Sequence, residues 1–448
     1  MEKKAIIVGA GLVGSLWSIF LAQRGYQVDI YERRGDMRKD GFVGGRSINL
    51  AMSTRGWKAL EKAGVAEQIK ADAVAMNGRM MHAIDGTTTY QAYGKEGQAI
   101  YSVSRGGLNL ALINIADKHP LVNFHFDHKV EKVNKRVGNL TVRSENGERA
   151  QVDAPLIFGT DGAFSSVRSS LQRTPRFDYQ QDYLDHGYKE LEIPAGPNGT
   201  FLIEKNALHI WPRGHFMLIA LPNSSGSFTC TLFLPFEGEQ SFEKLDNNEA
   251  IHAFFKKYFN DALELIPELV EDFNQNPTST LVTIRCNPWT YNNKFLLLGD
   301  ASHAIVPFYG QGMNSGFEDC TVLDEMVTAM DEDWPSILKQ FNTTRIPDAN
   351  AIADLALRNF VEMRDQVGDP DFLLRKKIAA WLANKYPERF IPMYSQVTFT
   401  HIPYSKALAE AQRQDLLFEK ILAVKNIHQE WQTEEVIAIY EAWEKEVV

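Results

Sequence analysis

The sequence predicts an α/β fold in three parts: a parallel sheet flanked by helices, an antiparallel sheet, and a helical C-terminal region. Three observations predict it. Residues 4–32 read as a strand, a glycine turn, a helix and a second strand. Residues 215–236 contain two β-rich runs separated by the turn NSSGS, and apolar residues recur at helical spacing after residue 331.

Composition limits the possible partners. The chain has 448 residues, enough for two or three packed units, and a formal net charge of −10 that argues against nucleic acid and anionic membranes. Its three cysteines, Cys230, Cys286 and Cys320, form no C-x-x-C pair, so we expect neither a disulfide framework nor a metal site. With no apolar leader and no bilayer-length apolar run, we expect a soluble protein in the reducing cytoplasm.

The first turn carries the spacing G-x-G-x-x-G in Gly9, Gly11 and Gly14. The first glycine permits the turn, the second lets the backbone approach a pyrophosphate, and the third allows close helix–strand packing. A helix from Leu12 to about Gln23 would direct its positive end at that pyrophosphate. The next strand ends at Glu32, at the spacing of an acid that binds ribose hydroxyls. These features predict a Rossmann-type adenine dinucleotide site; the alternative is a glycine turn in an ordinary βαβ unit.

The residues after this strand bear on which nucleotide binds. Glu32 would repel a 2′-phosphate, which argues against NADP at this turn. Arg33 and Arg34 weaken that argument, and they could instead meet the adenosine or a phosphate.

A second strand end follows in LIFGTDGAFSSVRSSL, residues 156–171. Asp161 stands at its turn, and the helix after it carries Ser165, Ser166 and Arg168, which suit a phosphate contact or a substrate groove. A plain Asp-Gly turn is an equal alternative.

A third strand end, KFLLLGD, finishes at Asp300, and Gly310 and Gly312 then lead into a helix. An acid at the carboxyl end of a parallel strand lies where α/β sheets bind ligands, although Asp300 could also be the N-cap of a short helix. Three glycine-bearing strand ends with only one full fingerprint favour one long cofactor, and FAD is long enough. Asp300 would meet its ribityl chain or pyrophosphate, and the helix after Gly312 would stabilise an anionic reduced flavin.

Together GAGLVG, GTDG and LLLGDASH resemble the three flavin-contact motifs of single-component (class A) flavoprotein aromatic hydroxylases. Within that class the chain resembles the kynurenine 3-monooxygenase family up to about Tyr404. This resemblance implies a Rossmann-type FAD domain, an antiparallel substrate domain and no second fold for NADPH. It rests on the segments GRSINLAMSTRG (45–56), NGRMMH (77–82), YSVSRGGLN (101–109), HGYKEL (186–191), NALHIWPRG (206–214), VPFYGQGMNSGFED (306–319), RNFVEMRD (358–365) and FIPMYSQVTF (390–399).

The resemblance also implies site residues. Arg79 would pair with the substrate carboxylate through its guanidinium fork, with orienting hydrogen bonds from Tyr93, Asn359 and Tyr394. Taken singly, each of these also fits an ordinary surface or core role. The implied FAD contacts are Gly9, Gly11, Val13, Gly14, Glu32, Arg33, Arg34, Ala51, Arg105, Val130, Asp161, Asp300, Gly312, Met313 and Asn314.

No catalytic side chain is assigned. Tyr309 should lie near the reactive flavin edge, but the family carries other residues there, so we expect it to gate the pocket or donate a hydrogen bond to the ring rather than act as an acid or base. His82 and His303 are candidates by composition only, since a lone histidine is more often structural.

The implied activity is the NADPH- and O2-dependent hydroxylation of L-kynurenine to 3-hydroxykynurenine through a flavin C4a-hydroperoxide shielded from water, a step of tryptophan degradation and pyridine nucleotide biosynthesis. Two alternatives stay open. One is a class A hydroxylase of another anionic aromatic compound, and the other is a non-catalytic flavin-binding redox protein.

We expect an FAD-binding domain over residues 1–175 and 275–330, with some substrate-region strands inserted near 70–105. A substrate-binding sheet should cover residues 176–274, with Leu218, Ile219 and Phe233 as candidate pocket residues. Residues 331–448 should be helical, interrupted at Pro347, with Asn359 and Met363 on one helix face. The segment beyond Tyr404 should pack on its own core, or form a lid or a homodimer surface, without a membrane anchor.

Overall fold

The computed structural model describes residues 2–40, 49–95, 97–363 and 369–446, so residues 45–48 and 364–365 of the quoted motifs lie outside it. The strands are β1 Lys4–Val8, β2 Gln27–Tyr31, β3 Asn49–Met52, β4 Val74–Met76, β5 Gly78–His82, β6 Thr88–Ala92, β7 Ile100–Ser104, β8 Val122–His125, β9 His128–Asn134, β10 Asn139–Ser144, β11 Arg149–Asp153, β12 Leu156–Gly159, β13 Asp178–Ile193, β14 Ala207–Pro212, β15 Met217–Pro222, β16 Phe228–Pro235, β17 Ser279–Asn287, β18 Thr290–Tyr291 and β19 Phe295–Leu297.

The helices are α1 Leu12–Gln23, α2 Met37–Asp40, α3 Thr54–Lys62, α4 Ala66–Lys70, α5 Arg105–Asp117, α6 Ser166–Leu171, α7 Asn248–Tyr258, α8 Asn260–Leu263, α9 Leu269–Gln275, α10 Asp300–His303, α11 Gly312–Ala329, α12 Trp334–Val361, α13 Pro370–Lys385, α14 Met393–Phe399, α15 Tyr404–Leu422 and α16 Glu434–Lys445. A short 3-10 turn, Pro307–Tyr309, precedes α11.

The first sheet is the predicted α/β unit. Within the described residues it has the order β18-β19-β12-β1-β2-β8, and all its pairs except β18–β19 are parallel. β12 and β19 are buried along their whole length, as expected of parallel strands covered on both faces. Because β1, β12 and β19 are adjacent, the three glycine-bearing turns that follow them meet at one edge of the sheet.

The second sheet, order β17-β13-β16-β15-β14-β5-β6, is antiparallel except for the parallel pair β5–β14. The predicted hairpin is confirmed: β15 pairs with β16 from Met217–Phe233 to Pro222–Phe228. Helices α7 to α9 cover one face, and Leu218 packs in that apolar cluster. The pocket assignment of Leu218 is therefore wrong, because side chains alternate along a strand and only Ile219 and Phe233 point to the other face.

One domain boundary needs correction. β17 lies in the range 275–330 assigned to the FAD domain, yet it pairs with β13 from Asp178–Asn287 to Tyr188–Ser279. The reason is that the chain leaves α9 and forms β17 as the edge strand of the second sheet, and only then returns to the first sheet. β5 and β6, in the range 70–105, also join the second sheet.

The C-terminal region is helical, as predicted, but the interruption at Pro347 is wrong: α12 runs unbroken through it. Proline removes one backbone donor, and packing on both sides offsets that loss. Phe341 and Ile352 are fully buried, and Arg345 contacts Asp348 across the proline at 3.3 Å. Beyond α12, helices α13, α15 and α16 enclose an apolar cluster of their own. In the described part of the chain, every helix is too short or too polar to cross a lipid bilayer.

Candidate active site

The first glycine turn is shaped for a close ligand. Gly9 has φ +102°, a conformation that favours glycine, and a Cβ on Gly14 would lie 2.1 Å from the carbonyl oxygen of Gly9. A Cβ on Gly11 would meet no atom within 4 Å. The turn is therefore tightly packed on its inner side and open at Gly11, where the free N–H groups of the first turn of α1 face outward.

Glu32 is fixed beside this turn. Its carboxylate accepts hydrogen bonds from the backbone N–H groups of Ala10 at 2.9 Å and Arg34 at 3.0 Å. The side chains of Arg33 and Arg34 are exposed. Val130 lies in the neighbouring strand β9, which begins where His128 donates its N–H to the Glu32 carbonyl at 2.8 Å. These predicted contacts for the adenosine half thus occupy one region.

The third turn closes against the first. Ideal Cβ atoms on Gly299 and Gly316 would lie 2.8 Å and 2.7 Å from Cγ2 of Val13, so Val13 packs between the end of β19 and helix α11. Asp300 is exposed, and its carboxylate makes no hydrogen bond within the described residues. The N-cap alternative for Asp300 is wrong, because Gly299 holds that position. A free carboxylate beside two helix N-termini fits a cofactor with hydroxyl groups.

The second turn is stabilised by its own contacts. Asp161 accepts hydrogen bonds from the hydroxyls of Ser165 at 2.5 Å and Ser166 at 2.8 Å, and from the N–H of Ser166 at 2.7 Å. Arg168 is buried and donates to the Ala301 carbonyl at 2.8 Å. This arrangement favours a structural role for the two serines and Arg168, while an FAD contact by Asp161 stays a prediction.

Asn314 connects helix α11 to β3. Its side chain accepts from the N–H of Ser53 at 2.9 Å and donates to the carbonyls of Ala51 at 2.8 Å and Gly310 at 2.7 Å. Gly312 and Met313 therefore begin α11 next to Ala51. These bonds use both N–H donors of the Asn314 amide, so its side chain has no donor left for a flavin.

The four predicted substrate residues cluster, together with Tyr309, on the face of the second sheet opposite to helices α7 to α9. The Tyr394 ring stacks between those of Tyr93 and Tyr309, at centroid distances of 5.2 Å and 5.6 Å. The Arg79 guanidinium lies 4.9 Å from the Tyr394 ring and 5.3 Å from the Tyr93 ring. The Asn359 amide donates to the Phe308 carbonyl at 2.6 Å, which places it beside Tyr309.

Polar atoms in this cluster lack partners. Nε of Arg79 and the hydroxyls of Tyr93 and Tyr309 are buried without a hydrogen bond inside the ranges described. Burial raises the pKa of the Tyr93, Tyr309 and Tyr394 hydroxyls, so all three stay neutral donors at physiological pH. Burial lowers the pKa of Arg79, but Tyr93 and Tyr394 outweigh it and the net shift is upward. Buried donors without acceptors indicate a site for an anionic or carbonyl-bearing ligand.

The rest of the pocket is apolar, and two of its residues, Phe308 and Phe360, were not singled out from the sequence. Phe308 stacks on Phe360 at 4.2 Å and contacts Phe233 at 4.9 Å. Asn359 and Met363 share one helix face, as predicted, with the amide nitrogen 3.2 Å from the sulfur. Phe308 stands next to Tyr309, and Phe360 next to Asn359, so their positions beside assigned residues were the available signal.

A buried network of charges joins the cofactor turn to the substrate helices. Asp319 is fully buried and accepts from the N–H of Gly299 at 3.0 Å, His303 at 2.6 Å and Arg345 at 2.9 Å. Burial alone would raise the pKa of Asp319, but His303 and Arg345 lower it by more. The net pKa lies below its usual value, so the carboxyl stays ionised. His303 therefore has a structural partner. The network links the turn before Asp300 with α11 and α12.

A second arm of this network reaches α14. Glu318, next to Asp319, bridges Arg345 and Arg55. Arg55 donates to the Val397 carbonyl at 3.0 Å and stacks over Tyr404 at 3.9 Å. Helix α14, which carries Tyr394, is thus attached to helix α11.

Glu190 is a further residue that sequence reasoning missed. It pairs with Thr231, and its side chain lies on the face of the second sheet that carries the substrate residues. Its neighbours Lys189 and Leu191 are buried on the other face, under α7 to α9. Burial raises the pKa of Glu190 from 4.5 to about 7, while Arg105, exposed at the start of α5, opposes the shift. A carboxyl group that titrates near neutrality therefore lies on the face that carries the substrate residues.

We expect Glu190→Gln to change the pH dependence of stability. Because the folded pKa exceeds the unfolded one, the parent loses stability as pH rises from 4.5 to about 7, whereas the variant does not. The variant should match the parent near pH 4 and exceed it by about 1–2 kcal/mol near pH 8, in urea unfolding with saturating FAD. Glu145→Gln, at an exposed glutamate, is the matched control. An equal difference at both pH values would contradict the assignment.

Comparison with known proteins decides the family. A family model described as an FAD binding domain matches residues 2–356. Kynurenine 3-monooxygenase of Flavobacterium psychrophilum is 51% identical over 436 residues, which cover 97% of each chain. The chain belongs to the kynurenine 3-monooxygenase family. The kynurenine 3-monooxygenase of Sus scrofa is 45% identical over 410 residues, or 91% of this chain and 86% of the pig protein.

Solved structures agree on the fold. A tetrameric form of 2-methyl-3-hydroxypyridine-5-carboxylic acid oxygenase has a TM-score of 0.67 at 20% identity and covers 82% of this chain and 94% of its own. Pseudomonas aeruginosa PqsL, solved with 2-aminobenzoylacetate, has a TM-score of 0.66 at 17% identity and covers 81% of this chain and 96% of its own. The predicted α/β fold with FAD as cofactor is confirmed for this kynurenine 3-monooxygenase family member.

Proposed function

We propose that this flavoprotein monooxygenase uses NADPH and O2 to hydroxylate L-kynurenine to 3-hydroxykynurenine. The observation that carries the proposal is the convergence of Arg79 with three neutral tyrosines beside the cofactor turns. L-Kynurenine presents a carboxylate at one end and an aromatic amine at the other. The cluster offers a cation and hydroxyl donors to the first and an apolar wall to the second.

The chain's residues fit FAD at three points. The open side of Gly11 and the N-terminus of α1 would receive the pyrophosphate, and Glu32 the ribose of the adenosine half. Asp300, a free carboxylate, would bind hydroxyls of the ribityl chain or lie by the pyrophosphate. The N-terminus of α11 at Gly312 would offer positive potential to the flavin ring. When bound and reduced by NADPH, FAD would activate O2, so that one oxygen atom of O2 is inserted into the substrate and the other leaves as water.

The substrate residues would act by position and exclusion. Arg79 holds the carboxylate in a bidentate pair, and Tyr93, Asn359 and Tyr394 orient it. Phe308 and Phe360 would exclude water from the aromatic ring, which would keep the activated oxygen from being lost as hydrogen peroxide. The aromatic amine itself makes the adjacent ring carbon electron-rich, so the protein need not supply a base there.

The test is oxygen consumption by the FAD-loaded enzyme with NADPH and L-kynurenine, with the product identified by mass. We expect a product heavier than L-kynurenine by one oxygen atom, and faster flavin reduction when L-kynurenine is present. If another anionic aromatic compound gives a hydroxylated product and L-kynurenine does not, the substrate assignment is wrong. If no aromatic compound affects flavin reduction, the hydroxylase assignment is wrong and a non-catalytic flavin-binding redox protein is the remaining alternative.

Tyr309→Phe should change the free energy of unfolding differently in the absence and in the presence of L-kynurenine. The Tyr309 hydroxyl is buried without a partner among the residues described, and an unpaired buried hydroxyl costs about 1–3 kcal/mol. The variant should therefore be about 1 kcal/mol more stable than the parent without substrate, and this gain should disappear with saturating L-kynurenine if the hydroxyl then finds an acceptor. Tyr404→Phe is the control, because its hydroxyl donates to Gln311 at 2.9 Å and its loss should destabilise. A destabilised Tyr309→Phe would contradict the assignment.

We also propose a cytoplasmic location, supported by three cysteines that are buried and unpaired. The same proposal includes a homodimer formed through the C-terminal helices. It also includes the division into an FAD-binding domain and a substrate-binding domain, with β17 in the substrate-binding domain.

A further inference from the structure

A buried chain of hydrogen bonds lies behind the strand that carries Arg79. His82, the last residue of β5, contacts Asp261 of α8 through Nδ1 at 2.9 Å and His209 of β14 through Nε2 at 2.9 Å. The far nitrogen of His209, Nε2, lies 2.7 Å from the Glu204 carbonyl. The proposed reaction uses none of these three side chains.

The partners determine where the protons lie. A carbonyl only accepts, so Nε2 of His209 carries a hydrogen; burial lowers the pKa of His209 to about 4, so its Nδ1 is a bare acceptor at neutral pH. His82 must therefore donate from Nε2 to His209.

The other end of the chain is an ionised carboxylate. Burial raises the pKa of Asp261, but hydrogen bonds from His82 and Trp211 lower it below its usual value. Asp261 can then only accept, and the same oxygen also accepts from Trp211 Nε1 at 2.8 Å. His82 must donate to it from Nδ1 as well. Both ring nitrogens of His82 therefore face an acceptor, and the ring stacks on Trp211 at 4.0 Å.

The position of His82 at the end of β5 allows it to hold this strand in place. β5 has weak lateral support, because its outer neighbour β6 is exposed at every residue. Arg79 and His82 lie on opposite faces of the same short strand. The end of β5 is pinned by the two side-chain bonds of His82 and by Arg213, which donates to the His82 carbonyl at 2.9 Å.

We propose that His82 is a positioning residue: as an imidazolium held between Asp261 and His209, it fixes β5 and thereby aims Arg79 at the substrate carboxylate. The charged and titratable groups that face it are Asp261 from α8, His209 from β14 and Arg213 from the loop after β14. This inference rests on the proposed function, because it requires Arg79 to bind the carboxylate of L-kynurenine.

The experiment has a spectroscopic and a kinetic arm on the FAD-loaded enzyme. In 15N-histidine-labelled protein at neutral pH, His82→Gln should remove one imidazole signal that shows two protonated nitrogens. Glutamine offers one donor and one acceptor at this position, so the variant should raise the KM for L-kynurenine about ten-fold while kcat and FAD content stay within about two-fold. His252→Gln, at an exposed histidine of neighbouring α7, is the matched control.

A double-mutant cycle tests whether His82 acts through Arg79. In an Arg79→Ala background, His82→Gln should raise KM no further. If His82→Gln fails to fold, Asp261→Asn removes the same charge pair from a partly exposed helix and should give the same KM increase.

A lost signal with only one protonated nitrogen, an unchanged KM, or a fall in kcat and FAD content at constant KM would each overturn the proposal. If the parent does not turn over L-kynurenine, the proposed function fails and the positioning role falls with it, while the NMR arm still reports the charge of His82. If the parent is active and the variants match it, the inference alone fails.

Discussion

Arg79→Ala should raise the KM for L-kynurenine about 100- to 4,000-fold while FAD stays bound. Removing one partner of a buried charge pair costs about 3–5 kcal/mol, because the remaining charge is left unpaired. In the proposed complex that remaining charge would be the substrate carboxylate, which would lose the guanidinium that now lies beside the rings of Tyr93 and Tyr394. Steady-state oxygen consumption at varied L-kynurenine measures KM, and flavin absorbance measures the bound cofactor.

Arg79→Lys is the sharper comparison. Lysine keeps the positive charge but loses the planar fork that binds a carboxylate at two points, so it should recover part of the affinity and not all of it. Arg149→Ala, at an exposed arginine paired with Glu131, controls for loss of a charge elsewhere and should leave KM unchanged. If Arg79→Ala and Arg149→Ala behave alike, Arg79 does not bind the substrate.

Asp319→Asn should be the most destabilising single change in the charged network. Asparagine has almost the same shape, but it leaves Arg345 and His303 without their anion in a fully buried position. Breaking such a pair costs about 3–5 kcal/mol, a large part of the stability of a typical domain. Urea unfolding with saturating FAD measures the loss.

The matched control is Asp153→Asn, which breaks the exposed ion pair with Lys294. Exposed pairs contribute little, so this variant should differ from the parent far less than Asp319→Asn does. The Asp319 variant should also bind FAD more weakly, because Asp319 holds the Gly299 N–H beside Asp300. Equal stability of the two variants would show that the network is not what joins α11 to α12.

The backbone geometry of the candidate cofactor site was largely predictable because its signals are local. Gly9, Gly11 and Gly14 are dictated by a single turn, and Glu32 by the strand that follows it. The substrate cluster was predictable only through resemblance: each of its residues, taken alone, suits an ordinary structural role, and they meet only after the whole chain folds.

The failures at Pro347, β17, Glu190 and His82 share one physical cause, which is contact between distant segments. Packing on both sides of Pro347 outweighs the local cost of a proline inside α12. The pairing of β17 with β13 leaves no mark in either strand's own sequence. The chemistry of Glu190 and His82 depends on which neighbours bury them, and those neighbours come from other strands and helices.

The attachment of α14 to α11 through Arg55 also determines the order in which the enzyme can be completed. A nascent chain emerges from its N-terminus, so the glycine turn, Glu32 and Asp300 leave the ribosome before Tyr394 does. A chain that still lacks α14 has its cofactor turns but no stack of tyrosines to receive a substrate. The tyrosine stack can therefore form only after the glycine turns have been synthesised, although α15 and α16 still follow it in the chain.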